Sequence, residues 1–311
     1  MTRTTRTRRA AALVATAGVA GLALAACSSG TPSGGDSPSD DGSSAAPQTI
    51  RIGVHSGWDE GIAVSELFGV VLQDEGYDVD LETADAGIVF TSLAGGDFDV
   101  NFDTWLPITH ADYWDQYGDD LEDLGVWYDQ AKLTIAVNED APIDSLDELA
   151  ANADQFDNRL VGIEAGAGET KIVQDDLIPG YGLEGMDFSI SSTPAMLAEL
   201  KSATDAGRNV AVTLWRPHWA YDEFPIRDLA DPQGLMGETE EIHTVTRTGF
   251  ADDFPDVAAL FSAFTLTDDQ LFSLENIMFN ENEGEKNEES VRQWLDDNPD
   301  FVDDLKAAAQ A

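Results

Sequence analysis

Two short stretches, 110 residues apart, restrict this chain more than any bulk property: WLPITH at 105–110 and WRPHW at 215–219. Each follows a run of alternating, strand-like residues, VNFDT before the first and VAVTL before the second. A proline two positions after each tryptophan stops the strand and stiffens the turn that holds the indole. Upstream, IRIGVHSGWDEGIAVSELF (50–68) and RLVGIEAGAGETKIVQDDLI (159–178) share one plan: strand, glycine-containing turn, amphipathic helix. Ile52 lies 53 residues before Trp105, and Val161 lies 54 before Trp215. The likeness is one of organisation rather than of sequence. It predicts an α/β chain in two lobes of related topology, with mainly parallel sheets.

Two extended segments suit the joints between such lobes: AKLTIAVNEDAP (131–142), which runs into a charged turn, and EEIHTVTRTGF (240–250). The expected division is 49–137 for lobe one, 138–240 for lobe two, and a return to lobe one over 241–311. The returning part reads as helical. FPDVAALFSAF, EESVRQWLDDN and FVDDLKAAAQ carry apolar residues at helical spacing, and Thr267-Asp268-Asp269-Gln270 is a capping-box start. Two lobes joined by two crossing strands leave a cleft between them, where ligands bind.

The first 48 residues read as address and tether. MTRTTRTRR carries four arginines and no acid, and an apolar Ala10–Ala26 run follows, rich in alanine and glycine and ending in Leu24-Ala25-Ala26-Cys27. This describes a secretory signal over 1–26 rather than a membrane span. Cys27 is the only cysteine, which excludes an internal disulfide. Its place favours a bacterial lipobox, with Cys27 becoming the lipidated first residue, over an incidental thiol near a cleavage site. Residues 27–48 then have the Gly/Ser/Pro composition of a flexible tether. The expected location is the outer face of a cell membrane, lipid-anchored.

The formal charge is −44. With the four signal arginines removed, 12 basic residues face 60 acidic ones, a net −48. Such a surface repels nucleic acid and anionic lipid headgroups.

Catalytic constellations find no support. His55, His110, His218 and His243 form no HxxxH pair and have no cysteine partner, so no metal is expected. There is no nucleophile elbow, P-loop or dinucleotide fingerprint, and no cofactor is implied. Carboxylates are too many for counting to single out a glycosidase pair.

The seven tryptophans are more informative. Trp58 lies in the turn after the first strand, at the binding edge of a parallel sheet. Trp105 and Trp215 end matching strands, one per lobe. All three are expected in the cleft, with Trp114, Trp127 and Trp219 packed behind and Trp294 in the core. Three indole faces suit sugars or, better, a quaternary ammonium, whose methyl groups make no conventional hydrogen bonds and whose spread charge meets the ring quadrupole at about 0.5–2 kcal/mol per face. GAGE (166–169) leads into a helix, and the free amides of Gly168 and Glu169 make either a carboxylate site or simply a helix-start turn. His110 is a candidate further donor to that carboxylate, or a surface or capping histidine. His218 ranks below it.

GWDEGIAV, TWLPITHADYW, GIEAGAGE, LWRPHWAY and EIHTVTRTGF resemble, in composition and order, the glycine betaine-binding proteins of osmoprotectant ABC transporters. The resemblance spans essentially the whole chain beyond the tether. It implies the two-lobed periplasmic-binding-protein fold of type II and no enzymatic activity. Trp58, Trp105 and Trp215 match the family's trimethylammonium cage. His110 matches its carboxylate-holding histidine, and Gly168 and Glu169 match the two residues whose amides bind the same carboxylate. The second amide position in relatives can be an apolar residue; here it is Glu169, whose acidic side chain, next to an anion, is expected to turn to solvent. The implied role is capture of glycine betaine or proline betaine by a monomer that hands it to an ABC permease and its ATPase. Choline or carnitine is the alternative ligand, and a secreted carbohydrate-active enzyme the alternative class.

Overall fold

The computed structural model describes residues 48–311. The basic start, the apolar run, Cys27 and the tether up to residue 47 lie outside the described residues.

Alternation of β-branched residues makes β1 (Thr49–His55): Ile50 and Ile52 are fully buried and Val54 nearly so. The chain turns at Gly57, whose φ of 83° is open to glycine at no steric cost. It then enters α1 (Asp59–Asp74), with Trp58 as its N-cap residue. β2 (Asp78–Ala84) and β3 (Val100–Leu106) flank β1 in parallel, with α2 (Ala86–Gly95) between them in sequence. Every residue of β3 is buried. α3 (Ala111–Tyr117) follows the first tryptophan turn.

The element that organises the rest is β4 (Leu121–Asn138), 18 residues long. Its first part, Leu121–Ala131, pairs antiparallel with β9 (Glu240–Arg247), which in turn pairs with β3. Its second part, Lys132–Val137, pairs antiparallel with β7 (Ala211–Arg216). Beyond β7 come the short parallel strands β5 (Arg159–Val161) and β6 (Asp187–Ser189), while β8 (Ile226–Asp228) pairs with β4. The path is therefore β2-β1-β3-β9-β4-β7-β5-β6, and β4 carries the chain from one sheet to the other. Its first half was not foreseen as strand. Three register shifts between Asp123 and Ala131 break the two-residue alternation by which a strand is read, and bulges of this kind also bend it. The sheets are correspondingly less parallel than expected, because β4 and β9 run against their neighbours.

The expected C-terminal helices form, at Pro255–Ala263, Asp268–Glu275, Asn287–Asp297 and Phe301–Ala308. The second has both capping-box bonds, Gln270 N to Thr267 Oγ1 at 3.3 Å and Thr267 N to Gln270 Oε1 at 3.0 Å. They pack on α1 and β4. Phe68 of α1 stacks on Phe102 of β3 at 4.7 Å and meets Phe261 and Phe264 edge-on, pairs worth about 0.5–1.5 kcal/mol each beyond their burial. Trp294 and Trp127 are core residues, and the Trp127 indole N–H donates to the Phe102 carbonyl.

Candidate ligand site

β1, β3, β5 and β7 all point their C-terminal ends at one region. Trp58 follows β1, Trp105 is the sixth of seven residues in β3, Trp215 is the fifth of six in β7, and Gly168 opens the helical run after β5. In both tryptophan turns the X–Pro bond is cis, at Leu106–Pro107 and Arg216–Pro217.

These ends line a pocket with about 270 Å³ of non-atom space, part of it open to solvent. Its lining includes every residue singled out from the sequence: Trp58, Trp105, Trp215, His110, Gly168 and Glu169. Glu60, Thr109, Leu133, Ile163 and Ala167 complete it. The three indoles are only 3–7% exposed, so their faces look onto an interior space rather than onto bulk water. His218 lies beside Trp215 with ring centroids 4.9 Å apart, and it does not line the cavity.

His110 is held by its own turn. Trp105 N donates to His110 Nδ1 at 2.9 Å, and His110 N donates back to the Trp105 carbonyl at 3.0 Å. With Nδ1 accepting, the proton sits on Nε2, which is buried without a partner. Burial, aided by the neighbouring His55, keeps the imidazole well below its ordinary pKa and hence neutral. Trp58 stacks on it at 5.5 Å and 15°. One face of the cavity therefore presents a neutral N–H donor with nothing to bond.

The helix start supplies more. Gly168–Ile172 begins a continuous helical run to Tyr181, and its first intrahelical bond is Lys171 N to the Ala167 carbonyl at 3.3 Å. The amides of Gly168 and Glu169 precede that bond and point out of the positive helix end. Gly168 is glycine for a reason beyond ligand access: a Cβ there would lie 1.8 Å from the Thr109 carbonyl oxygen. That contact brings the turn after β3 against the helix after β5.

Glu169 corrects an expectation. Its side chain does not turn to solvent: it is 2% exposed, with both carboxyl oxygens unpartnered. The helix packs that face inward, toward Leu214 of β7. Burial pushes its pKa well above the ordinary value, which favours the neutral acid. A protonated acid tolerates this position; a carboxylate would not.

Carboxyls also stand behind the tryptophans, and sequence reasoning missed them. The Trp215 indole N–H donates to Glu60 Oε2 at 2.9 Å, that of Trp105 to Asp103 Oδ1 at 2.6 Å, and that of Trp219 to Asp59. Burial raises Asp103 to about 7 and Asp59 to about 6. Glu60 is raised well above its ordinary value by burial and by the charges of Asp103 and Glu275. The available signal was positional: Asp103 shares a strand face with Trp105, and Asp59-Glu60 directly follow Trp58. Among the described residues, no group of three or more His, Cys, Asp or Glu is arranged to hold a metal.

The sequence family described as the substrate binding domain of ABC-type glycine betaine transport system matches residues 48–297. A glycine betaine/carnitine transport binding protein of Listeria monocytogenes is 33% identical over 167 residues, which are 52% of this chain and 52% of that protein. The chain thus spans about half the length of this curated relative. Among solved structures, a glycine/betaine/L-proline-binding protein from Borrelia burgdorferi is 28% identical with a TM-score of 0.77, over 84% of this chain and 100% of that one. A lactococcal protein complexed with glycine betaine is 26% identical with a TM-score of 0.77, over 83% and 99%. A choline-binding protein in complex with choline is 25% identical with a TM-score of 0.75, over 84% and 96%. The fold is therefore the α/β periplasmic-binding-protein type that these structures share.

Proposed function

Because this chain belongs to the family of substrate-binding domains of ABC-type glycine betaine transport systems, whose members bind solutes for transport and are not enzymes, we propose that it captures a quaternary ammonium osmoprotectant, glycine betaine or proline betaine, for uptake. One observation carries the reading. Three buried indoles, the unpartnered His110 Nε2 and the helix start at Gly168-Glu169 line the same small pocket, so that it offers aromatic faces to a cation and N–H donors to an anion.

In this reading Trp58, Trp105 and Trp215 surround the ammonium group, each indole face adding about 0.5–2 kcal/mol. His110 Nε2 and the amides of Gly168 and Glu169 take the ligand carboxylate. Charge-assisted hydrogen bonds of this kind are the stronger class. The neutral state of Glu169 removes the repulsion that a carboxylate there would impose. Closure of the two lobes, divided at 49–137, 138–240 and 241–311, completes the site, so that occupancy and the closed shape presented to a permease become one event. The chain is read as a monomer.

Choline or carnitine is the second reading, favoured by similarity to a structure complexed with choline and to a relative named for glycine betaine and carnitine. Choline has no carboxylate and leaves the His110 donor idle. Leu24-Ala25-Ala26-Cys27 supports attachment through a lipid on Cys27 at the outer face of the membrane, with residues 27–48 as tether. Equilibrium dialysis of the purified protein with labelled glycine betaine tests the ligand class: retention that unlabelled glycine betaine displaces is expected, and its absence sinks the reading.

A further inference from the structure

The helix α1 contributes more to the site than the position of Trp58. Its first turn places Asp59 and Glu60 against two tryptophans carried by the other sheet. Glu60 is 1% exposed, lines the cavity, and takes the Trp215 indole N–H at 2.9 Å across 155 residues of sequence. Asp59 takes the N–H of Trp219 across 160 residues.

We infer that Glu60 is a positioning residue for the ligand site: its carboxyl oxygen reaches from the first sheet's helix to the second sheet's β7 and fixes the plane in which Trp215 faces the cavity. The inference rests on the reading above, in which the Trp215 face meets the ammonium group.

The physical reasons are these. Although the Trp58 N–H is buried without a partner, a buried indole N–H as a rule has an acceptor, and that of Trp215 has Glu60. Without it the ring either turns toward another acceptor or leaves its N–H unpaired, and in both cases its face no longer meets a cation squarely. The contact joins groups on α1 and on β7, so it is made where the two halves meet. Asp103 Oδ2 is buried and unpartnered beneath α1, where a Cβ on Gly61 would lie 2.4 Å from it. Burial, together with the charges of Asp103 and Glu275, raises the Glu60 carboxyl well above its ordinary pKa. A protonated carboxyl still accepts through its carbonyl oxygen. Glutamine does the same, so the role belongs to the oxygen and not to the charge.

A double-mutant cycle read by calorimetric titration with glycine betaine tests this. Relative to wild type, E60A weakens binding about tenfold or more, while E60Q stays within about threefold. Trp215→Phe keeps an aromatic face and removes the N–H. In that background E60A changes affinity by less than about threefold. A wild-type affinity for E60A, an E60Q as weak as E60A, or an undiminished effect of E60A beside Trp215→Phe each overturns the inference. The last result would mean that Glu60 acts on the ligand directly. Melting temperatures without ligand establish that each variant folds, and E60M, which fills the volume without an acceptor, replaces E60A if the latter does not. Wild-type protein that binds neither glycine betaine nor choline sinks the functional reading itself; wild-type binding with an indifferent Glu60 sinks only this inference.

Discussion

Trp105 and His110 bond each other twice through one turn, amide to Nδ1 at 2.9 Å and amide to carbonyl at 3.0 Å. The strand end that sets the indole also sets the tautomer of the imidazole. Burial holds its pKa well below the ordinary value, so near neutral pH the ring is neutral with its proton on Nε2, free to donate to an anion. His110→Ala is therefore expected to cost glycine betaine about 1.5–3 kcal/mol, the range for hydrogen bonds to charged groups, and choline clearly less. Calorimetry with both ligands checks this. An equal loss for both would contradict a carboxylate role.

Trp105→Ala and Trp215→Ala should each weaken betaine binding by about 1–3 kcal/mol, from lost cation–π and apolar contact together. Intrinsic fluorescence titrations of the two variants supply the numbers. Wild-type affinity in either would remove that residue from the cage.

Gly168→Ala places a methyl 1.8 Å from the Thr109 carbonyl oxygen, a clash with backbone that no side-chain rotation relieves. The expected cost to ligand affinity is about 1–3 kcal/mol, the usual range for overpacking. Gly185→Ala, whose Cβ would meet nothing within 4 Å, is the control and should bind normally. Equal affinities for the two variants would show that the contact between the turn after β3 and the helix after β5 is not needed for the bound form.

The buried acids give the unliganded protein an unusual pH dependence. Asp103 and Asp59 are raised to about 7 and about 6, and Glu60, Glu169 and Glu275 are raised well above their ordinary value, burial being the first cause in each. A raised carboxyl makes the folded state bind protons more tightly than the unfolded one, so its penalty is full above the folded pKa and vanishes below about pH 4. His55 and His218, lowered to about 3 by burial, and His110, also lowered well below its ordinary value by burial, act oppositely as pH falls through about 6.5. Between about pH 8 and 7 the carboxyls dominate, and the melting temperature should rise as pH falls. Asp103→Asn should flatten that rise. A melting temperature that drops over this interval would contradict the assignment of these groups as buried and protonated.

How much of this was legible follows from what each residue type announces. Proline after tryptophan marks a strand end, and glycine before a helix marks a free amide, so Trp105, Trp215, Gly168 and Glu169 could be placed before any coordinates. Glu60 and Asp103 could not. In a chain with 60 acidic residues no single carboxyl stands out, and only the fold reveals which ones lie under an indole. Glu169 was misjudged for a related reason: sequence gives the amide's place at the helix start but not which face of the helix packs on β7. The first half of β4 was missed because its bulges erase the alternation that identifies strands.

The central claim is that one cavity pairs an aromatic cage with a carboxylate clamp. Calorimetric titration of the protein with glycine betaine, tetramethylammonium and maltose in parallel tests it most directly. Saturable binding of glycine betaine, much weaker binding of tetramethylammonium and none of maltose is the predicted result. Equal affinity for glycine betaine and tetramethylammonium would leave the cage and refute the clamp, and binding of maltose alone would refute both.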